Sequence, residues 1–296
     1  MKKRMTTVLR ELMAQDKIIV HPGIHDAISA QLAENAGFPM VALGGTALGL
    51  QLGFGEPRLC LEDLLTVCRY ITAAIDVPLK VDAGPGFGDT VQIQRTIREL
   101  ERAGVASCHL EDCVFPHRAT HCIGVDPLID PDEMCEKIKV AAAARNDKDF
   151  VIVARTNSMK EFGFEEGVRR INMYLDAGAD AAYVFPNNME EAERAPKLVN
   201  GPCCFNNSEG GTMPNLTVEQ AQNFGYKFIT YPGMSITLMG IALKKGFDYL
   251  MANGQTDFDV NAGGDIINLM RKFGGTPEMC DLELAKDARE AARKNK

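Results

Sequence analysis

Residues 150–186 read FVIVARTNSMKEFGFEEGVRRINMYLDAGADAAYVFP, two apolar runs with an amphipathic stretch between them. FVIVART (150–156) and AAYVFP (181–186) have the length and β-branched or aromatic content of buried strands. GFEEGVRRINMYLDAG (163–178) carries its apolar residues at helical spacing and stops at Gly178, which suits a helix exit. Strand, helix, strand in 37 residues is one βαβ unit, and the same alternation extends in both directions.

Outward from that unit, six more apolar runs bounded by Gly, Pro, Asn or Asp read as strands: IIVHP (18–22), MVALGG (40–45), LKVDAG (79–84), SCHLED (107–112), CCFNN (203–207) and FITYPG (228–233). DTVQIQRTIRELERAG (89–104) is a second clear helix, with Asp89 placed to cap its start and Gly104 to close its end. An AG pair precedes three of the strands, in NAGFPM, RAGVAS and DAGADA, as a repeated helix exit. Eight such units predict an α/β fold of the (β/α)8 TIM-barrel type. An open doubly wound sheet usually has fewer strands and a Gly-rich phosphate turn after the first, and HPGIHDA is no GxGxxG. Residues 1–296 are expected to form one barrel domain, with 235–296 as a C-terminal helical arm, because the 60 or so residues after the eighth strand exceed one closing helix.

Bulk properties narrow the partners. A net charge of -8 and a pI near 5.3 oppose nucleic acid and anionic membrane. No apolar run approaches the roughly 20 residues of a membrane helix, and MKKRMTTVLRELMAQDK returns to charge too soon for a secretory signal. Nine scattered cysteines without paired zinc spacing indicate free thiols in a reducing cytoplasm, with Cys203 and Cys204 on opposite faces of a strand as apolar filler.

In a parallel barrel the C-terminal strand ends converge on the face that carries chemistry. His21, Gly44, Gly45, Asp82, Glu111, Asp112, Arg155, Asn157, Asn206 and Asn207 lie at or just past such ends. Asp82 precedes a run of Gly84, Gly86 and Gly88 that lets the backbone turn or approach a ligand, although an Asp there also serves as a cap. Side chains alternate along a strand, so only one of Glu111 and Asp112 can face the barrel axis. Carboxylates from different strand ends suit a hard cation such as Mg2+, and Arg155 could fork onto a substrate carboxylate or pair with a barrel acid. His117, His121 and Cys122 in EDCVFPHRATHCIG (111–124) are candidate acid or base groups. The i, i+4 spacing of His117 and His121 would suit a metal only on a helix, and Pro116 argues against one. NNSEGGTMP (206–214) is a polar loop able to carry substrate contacts or only a surface turn.

GIHDAISA, LGGTALGLQLGFGEP, VDAGPGFGD, HLEDCVFPHR, VARTNS and NNSEGGTMPNLTVEQ occur in order between about residues 8 and 250. Together they resemble the isocitrate lyase and phosphoenolpyruvate mutase superfamily, nearest its alkylmalate and methylisocitrate lyase branch. The resemblance implies a homotetramer of barrels that exchange their last helix, Mg2+ (or Mn2+) as cofactor, and a 2-hydroxy or keto acid substrate. It implies Asp82 as direct metal ligand, with Glu111 and Glu56 reaching the metal through water. Gly44, Gly45 and Thr46 match the loop that holds the substrate carboxylate, Arg155 the substrate arginine, and Asn206 and Glu209 the substrate loop.

Three departures stand out. Gly84 replaces the second Asp of the family's DxD metal motif, and Asn187 stands where tricarboxylate-cleaving members have Glu. HRATH replaces the lyases' K(K/R)CGH, putting His117 for Lys, Ala119 for the acid Cys and Thr120 for Gly. The expected function is a carbon–carbon lyase acting on a branched malate such as 2,3-dimethylmalate to give pyruvate and propionate. The alternatives are oxaloacetate decarboxylation, phosphonate mutation or hydrolysis, and a non-catalytic keto-acid-binding barrel.

Overall fold

A computed structural model describes residues 3–120, 127–208, 214–257 and 264–294. Among these, eight strands pair in parallel in chain order: β1 (Ile19–Ile24), β2 (Val41–Leu43), β3 (Leu79–Asp82), β4 (Ser107–Glu111), β5 (Val151–Arg155), β6 (Ala181–Val184), β7 (Cys203–Asn206) and β8 (Phe228–Tyr231). The barrel closes where β8 meets β1, with Ile19 beside Phe228 and His21 beside Thr230. The helices are α1 (Met5–Met13), α2 (Ala27–Asn35), α3 (Gly45–Gln51), α4 (Leu61–Ala74), α5 (Thr90–Arg102), α6 (Pro131–Ala144), α7 (Ser158–Phe162), α8 (Phe164–Asp176), α9 (Met189–Leu198), α10 (Val218–Phe224), α11 (Met234–Asn253), α12 (Ile266–Phe273) and α13 (Thr276–Lys294).

The eight-stranded barrel read from the sequence is therefore the fold observed. Asp89 caps α5 by accepting the Thr90 N–H at 2.7 Å, and Gly104 follows the helix at φ +78°. The second strand is shorter than MVALGG suggests. It ends at Leu43, because Gly44 is the N-cap of α3 and Gly45 its first residue. The short helix α7, just after β5, was not anticipated.

Apolar burial is divided between two layers. One lies between strands and helices, where Ile71, Ile97, Ile138 and Ile171 are fully buried. The other fills the N-terminal end of the barrel, where Ile19, Met40, Val151, Cys204 and Phe228 meet Leu9 of α1. That helix plugs the barrel floor and is tied to distant turns: Thr6 donates to Asp147 at 2.7 Å and Arg10 pairs with Asp180 at 2.7 Å. Cys203 and Cys204 are both buried, one in each layer, as strand alternation requires.

The chain divides into two compact units, Met1–Leu238 and Met239–Lys296, the boundary falling within α11. In the second unit α12 packs on α13, while Ile241, Leu243, Phe247 and Met251 of α11 are exposed. No helix among the described residues is long and apolar enough to cross a membrane.

Candidate active site

Register sets the chemistry of the barrel mouth. Asp82, the last residue of β3, lies beside His109 of β4, and Glu111, the last residue of β4, lies beside Arg155, the last residue of β5. Asp82 Oδ1 accepts the Gly84 N–H at 2.8 Å and is 2.9 Å from His109 Nε2. Its Oδ2 is 3.5 Å from the Gly45 N and 3.6 Å from Arg155 Nη1. Glu111 Oε2 accepts from Arg155 Nε at 3.1 Å and from Asn157 Nδ2 at 2.8 Å, while Oε1 is 2.5 Å from His117 Nε2. The Arg155 guanidinium thus bridges two buried carboxylates, and it stacks 4.8 Å from the Phe185 ring centroid.

Both acids are ionised against the pull of burial. Burial opposes ionisation of Asp82, but His109, Arg155 and the Gly84 N–H hold its carboxyl well below the usual range. Burial likewise opposes ionisation of Glu111; the Arg155 charge and the His117 hydrogen bond outweigh it and set its pKa at about 2. Burial lowers the pKa of His109, against the opposing pull of Asp82 beside it. Asp112 faces the other way, into the layer between strand and helix. There Thr156 Oγ1 at 2.6 Å and Tyr174 OH at 2.9 Å donate to it, and Arg170 lies at 3.5 Å.

The opposite wall is the start of α3. Gly44 and Gly45 turn the chain there, and Thr46 Oγ1 donates to Glu56 Oε2 at 2.6 Å. A Cβ on Gly45 would lie 2.0 Å from Glu56 Oε1, so only glycine admits that carboxylate. Asn206, at the end of β7, accepts from Tyr183 OH at 3.0 Å and donates to Ser208 Oγ at 2.9 Å. These groups surround a cavity of about 340 Å3 lined by Gly44, Gly45, Thr46, Glu56, Lys80, Asp82, His109, Arg155, Tyr183 and Asn206. A smaller hollow of about 80 Å3 shares Gly45, Glu56 and Asp82 with it and is lined on the far side by Phe115, Pro116 and His117.

Of the residues singled out from the sequence, Gly44, Gly45, Thr46, Glu56, Asp82, Arg155 and Asn206 line the cavity. Glu111 stands behind Arg155, and His117 reaches it from the loop after β4. His121, Cys122 and Glu209 lie outside the described residues. Ala119 is exposed. Asn187 does not line the cavity; its amide donates to the Met159 carbonyl at 3.2 Å and to Glu191 at 3.0 Å.

Three participants were missed. Lys80, only 4% exposed, lies under the cavity with Nζ 4.2 Å from the Tyr183 ring centroid and 3.9 Å from Cys204 Sγ. A lysine inside the apolar run LKVD, two residues before Asp82 and so on its face, was the available signal. His109 is related to Glu111 in the same way. Tyr183 carried no comparable mark, whereas Asn157 belongs to the strand-end set and donates to Glu111.

The donors fit a hard cation in kind. Asp82, Glu111 and Glu56 offer only carboxylate oxygens, two of them already ionised by their surroundings.

The family model for phosphoenolpyruvate phosphomutase matches residues 9–247. The 2-methylisocitrate lyase of Aeropyrum pernix is 39% identical over 234 residues, covering 78% of this chain and 74% of that protein. The 2,3-dimethylmalate lyase of Eubacterium barkeri is 35% identical over 232 residues, covering 77% and 80%. Among solved structures, oxaloacetate acetylhydrolase in complex with the product oxalate matches with a TM-score of 0.87 at 26% identity, covering 95% of this chain and 98% of that one.

Proposed function

Because the chain belongs to the phosphoenolpyruvate phosphomutase family and is an enzyme close to methylisocitrate and dimethylmalate lyases, we propose that it cleaves a branched 2-hydroxy dicarboxylate such as 2,3-dimethylmalate to pyruvate and propionate. The observation that carries this reading is the Arg155 guanidinium set between two ionised acids at the mouth of a cavity of about 340 Å3. That volume is at the small end of the range of about 300–1,000 Å3 for ligand pockets and suits a short diacid.

In this reading the substrate carboxylate is held by Arg155 and by the backbone amides at the start of α3. Mg2+, held by Asp82 and through water by Glu111 and Glu56, would supply positive charge against the oxygen that becomes the keto group. The C2 hydroxyl loses its proton, the C2–C3 bond breaks, and its electron pair passes to C3, conjugated with the second carboxylate. An acid then protonates C3. Ala119 has no proton to give, so that acid comes from His117, His121 or Cys122 on the same loop. Tyr183 orients Asn206 toward the cavity through their 3.0 Å hydrogen bond.

Decarboxylation of oxaloacetate to pyruvate and carbon dioxide is the second reading. The missing acid at Ala119 and the likeness to oxaloacetate acetylhydrolase favour it. The test is pyruvate release, coupled to lactate dehydrogenase with Mg2+ present, from 2,3-dimethylmalate, other 2-alkylmalates, methylisocitrate, oxaloacetate and phosphonopyruvate. Release from the alkylmalates supports the lyase; turnover of oxaloacetate alone moves the protein to the second reading, and silence on all of them defeats both.

The same reading includes a cytoplasmic homotetramer, with Met239–Lys296 packing on a neighbouring subunit. The exposed Ile241, Leu243, Phe247 and Met251 of α11 support it. Light scattering on the full chain tests it, and a monomer at micromolar concentration defeats it.

A further inference from the structure

The loop after β4 brings together three side chains whose joint chemistry the proposed reaction does not use. One ligand atom each from Glu111, Cys113 and His117 lie within 4.8 Å of one another. The three side chains are 0%, 2% and 8% exposed, so the cluster is built into the protein and is not a surface coincidence. Ligands bonded at about 2.0–2.3 Å around one tetrahedral ion stand about 3.3–3.8 Å apart, so the Glu111–His117 pair, at 2.5 Å, would open slightly and the wider contacts close as an ion enters.

Two further observations point the same way. Asn157 Nδ2 donates to Glu111 Oε2 at 2.8 Å and lies 3.0 Å from Cys113 Sγ, so one amide orients two of the three groups. Metal ligands are ordinarily held by an outer contact of this kind. Gly84 borders the third. A Cβ there would meet His117 Cε1 at 3.5 Å and Glu111 Oε1 at 3.7 Å, ordinary contact distances, so the turn after β3 packs directly against the pair.

We propose that Glu111, Cys113 and His117 form a second cation site, selective for a borderline-soft divalent ion of the Zn2+ or Co2+ class. Imidazole and thiolate suit such ions, whereas Mg2+ keeps to oxygen and water. On binding, the Cys113 thiol proton leaves to solvent and the thiolate faces the ion, while Arg155 stays paired with the outer oxygen of Glu111 at 3.1 Å. Three protein ligands leave a fourth position for water. Asp82 is not one of the three, so this site shares Glu111 alone with the hard-cation site proposed above. The bound ion ties His117, and with it the loop after β4, to the strand end. The inference does not depend on which bond the enzyme cleaves.

Cobalt spectroscopy of the full chain, freed of metal by chelation and kept reduced, tests it. Titration with Co2+ in excess Mg2+, which keeps the hard-cation site filled, is expected to give one Co2+ per chain, with visible d–d bands and a near-ultraviolet thiolate-to-cobalt band that Zn2+ abolishes. Cys113→Ser is expected to lose the near-ultraviolet band, and His117→Gln to weaken Co2+ binding at least about tenfold. Asp82→Asn is expected to keep both signals. Circular dichroism checks the fold of each variant, and the wild-type titration is decisive even where a variant does not fold. No thiolate band in the wild type overturns the proposal. So does a band that survives in Cys113→Ser, which would place it on another thiol such as the exposed Cys60 or Cys280. Loss of the band in Asp82→Asn would leave one site where two are proposed.

Discussion

Replacing Arg155 with Met removes the cation that two buried acids share. In the wild type Glu111 falls from an ordinary 4.5 to about 2, with Arg155 the main influence opposing burial. At about 1.4 kcal/mol for each unit of pKa, that fall corresponds to about 3 kcal/mol. This agrees with the roughly 3–5 kcal/mol lost when one partner of a buried pair is removed. The variant should therefore be about 3 kcal/mol less stable at pH 7, with a midpoint about 5 °C lower for a chain of this size. The pH dependence should also change sign. A depressed carboxyl contributes stability that is complete above 4.5 and lost as pH falls toward 2. Without Arg155, burial is left in control and raises the folded value, so the contribution is present below 4.5 and lost as pH rises. Mg2+ should restore part of the loss, because a cation bound only by the folded chain adds its binding free energy to stability. Urea unfolding at pH 5 and pH 7.5, with and without Mg2+, measures all three. A loss below about 0.5 kcal/mol, typical of a surface substitution, with the wild-type pH slope intact would refute the electrostatic account of the site.

Asp82→Ala is expected to abolish pyruvate release while the chain stays folded by circular dichroism, and retained turnover would remove Asp82 from the metal site. Gly45→Ala places a methyl 2.0 Å from Glu56 Oε1, so it should displace Glu56 from Thr46 and lower kcat/KM at least about tenfold; wild-type kinetics would show that the Thr46–Glu56 contact is dispensable. Leu9→Ala opens a cavity in the barrel floor and should cost about 2–5 kcal/mol in urea unfolding, with KM at 25 °C unchanged; an altered KM would mean that α1 reaches the site.

The barrel was legible because its signals are local and repeated. Each strand is a short apolar run closed by a turn residue, and helix ends such as Asp89 and Gly104 are marked by residues with one clear backbone role. Strand alternation also required that one of Glu111 and Asp112 face the mouth and the other the outer layer, and it is Asp112 that turns outward, to Thr156 and Tyr174. What stayed hidden depends on contacts across the barrel. The meeting of Cys113 with His117 rests on the path of the loop after β4, which helical spacing arguments about His117 and His121 do not address. Lys80 was visible as a charge in an apolar strand, yet its surroundings, Tyr183 and Cys204, come from strands more than 100 residues away.

Those distant partners bear on how the chain can leave the ribosome. By the time residue 144 has been made, Lys80, Asp82 and Glu111 all exist, but Arg155, Tyr183 and Cys204 do not. Neither does Asp180, on which Arg10 of α1 closes the barrel floor. A nascent first half therefore gains little by burying its polar interior early and keeps those side chains in water. Halves 1–144 and 145–296 made as separate polypeptides should remain open alone and close on mixing, each carrying the charges that the other lacks.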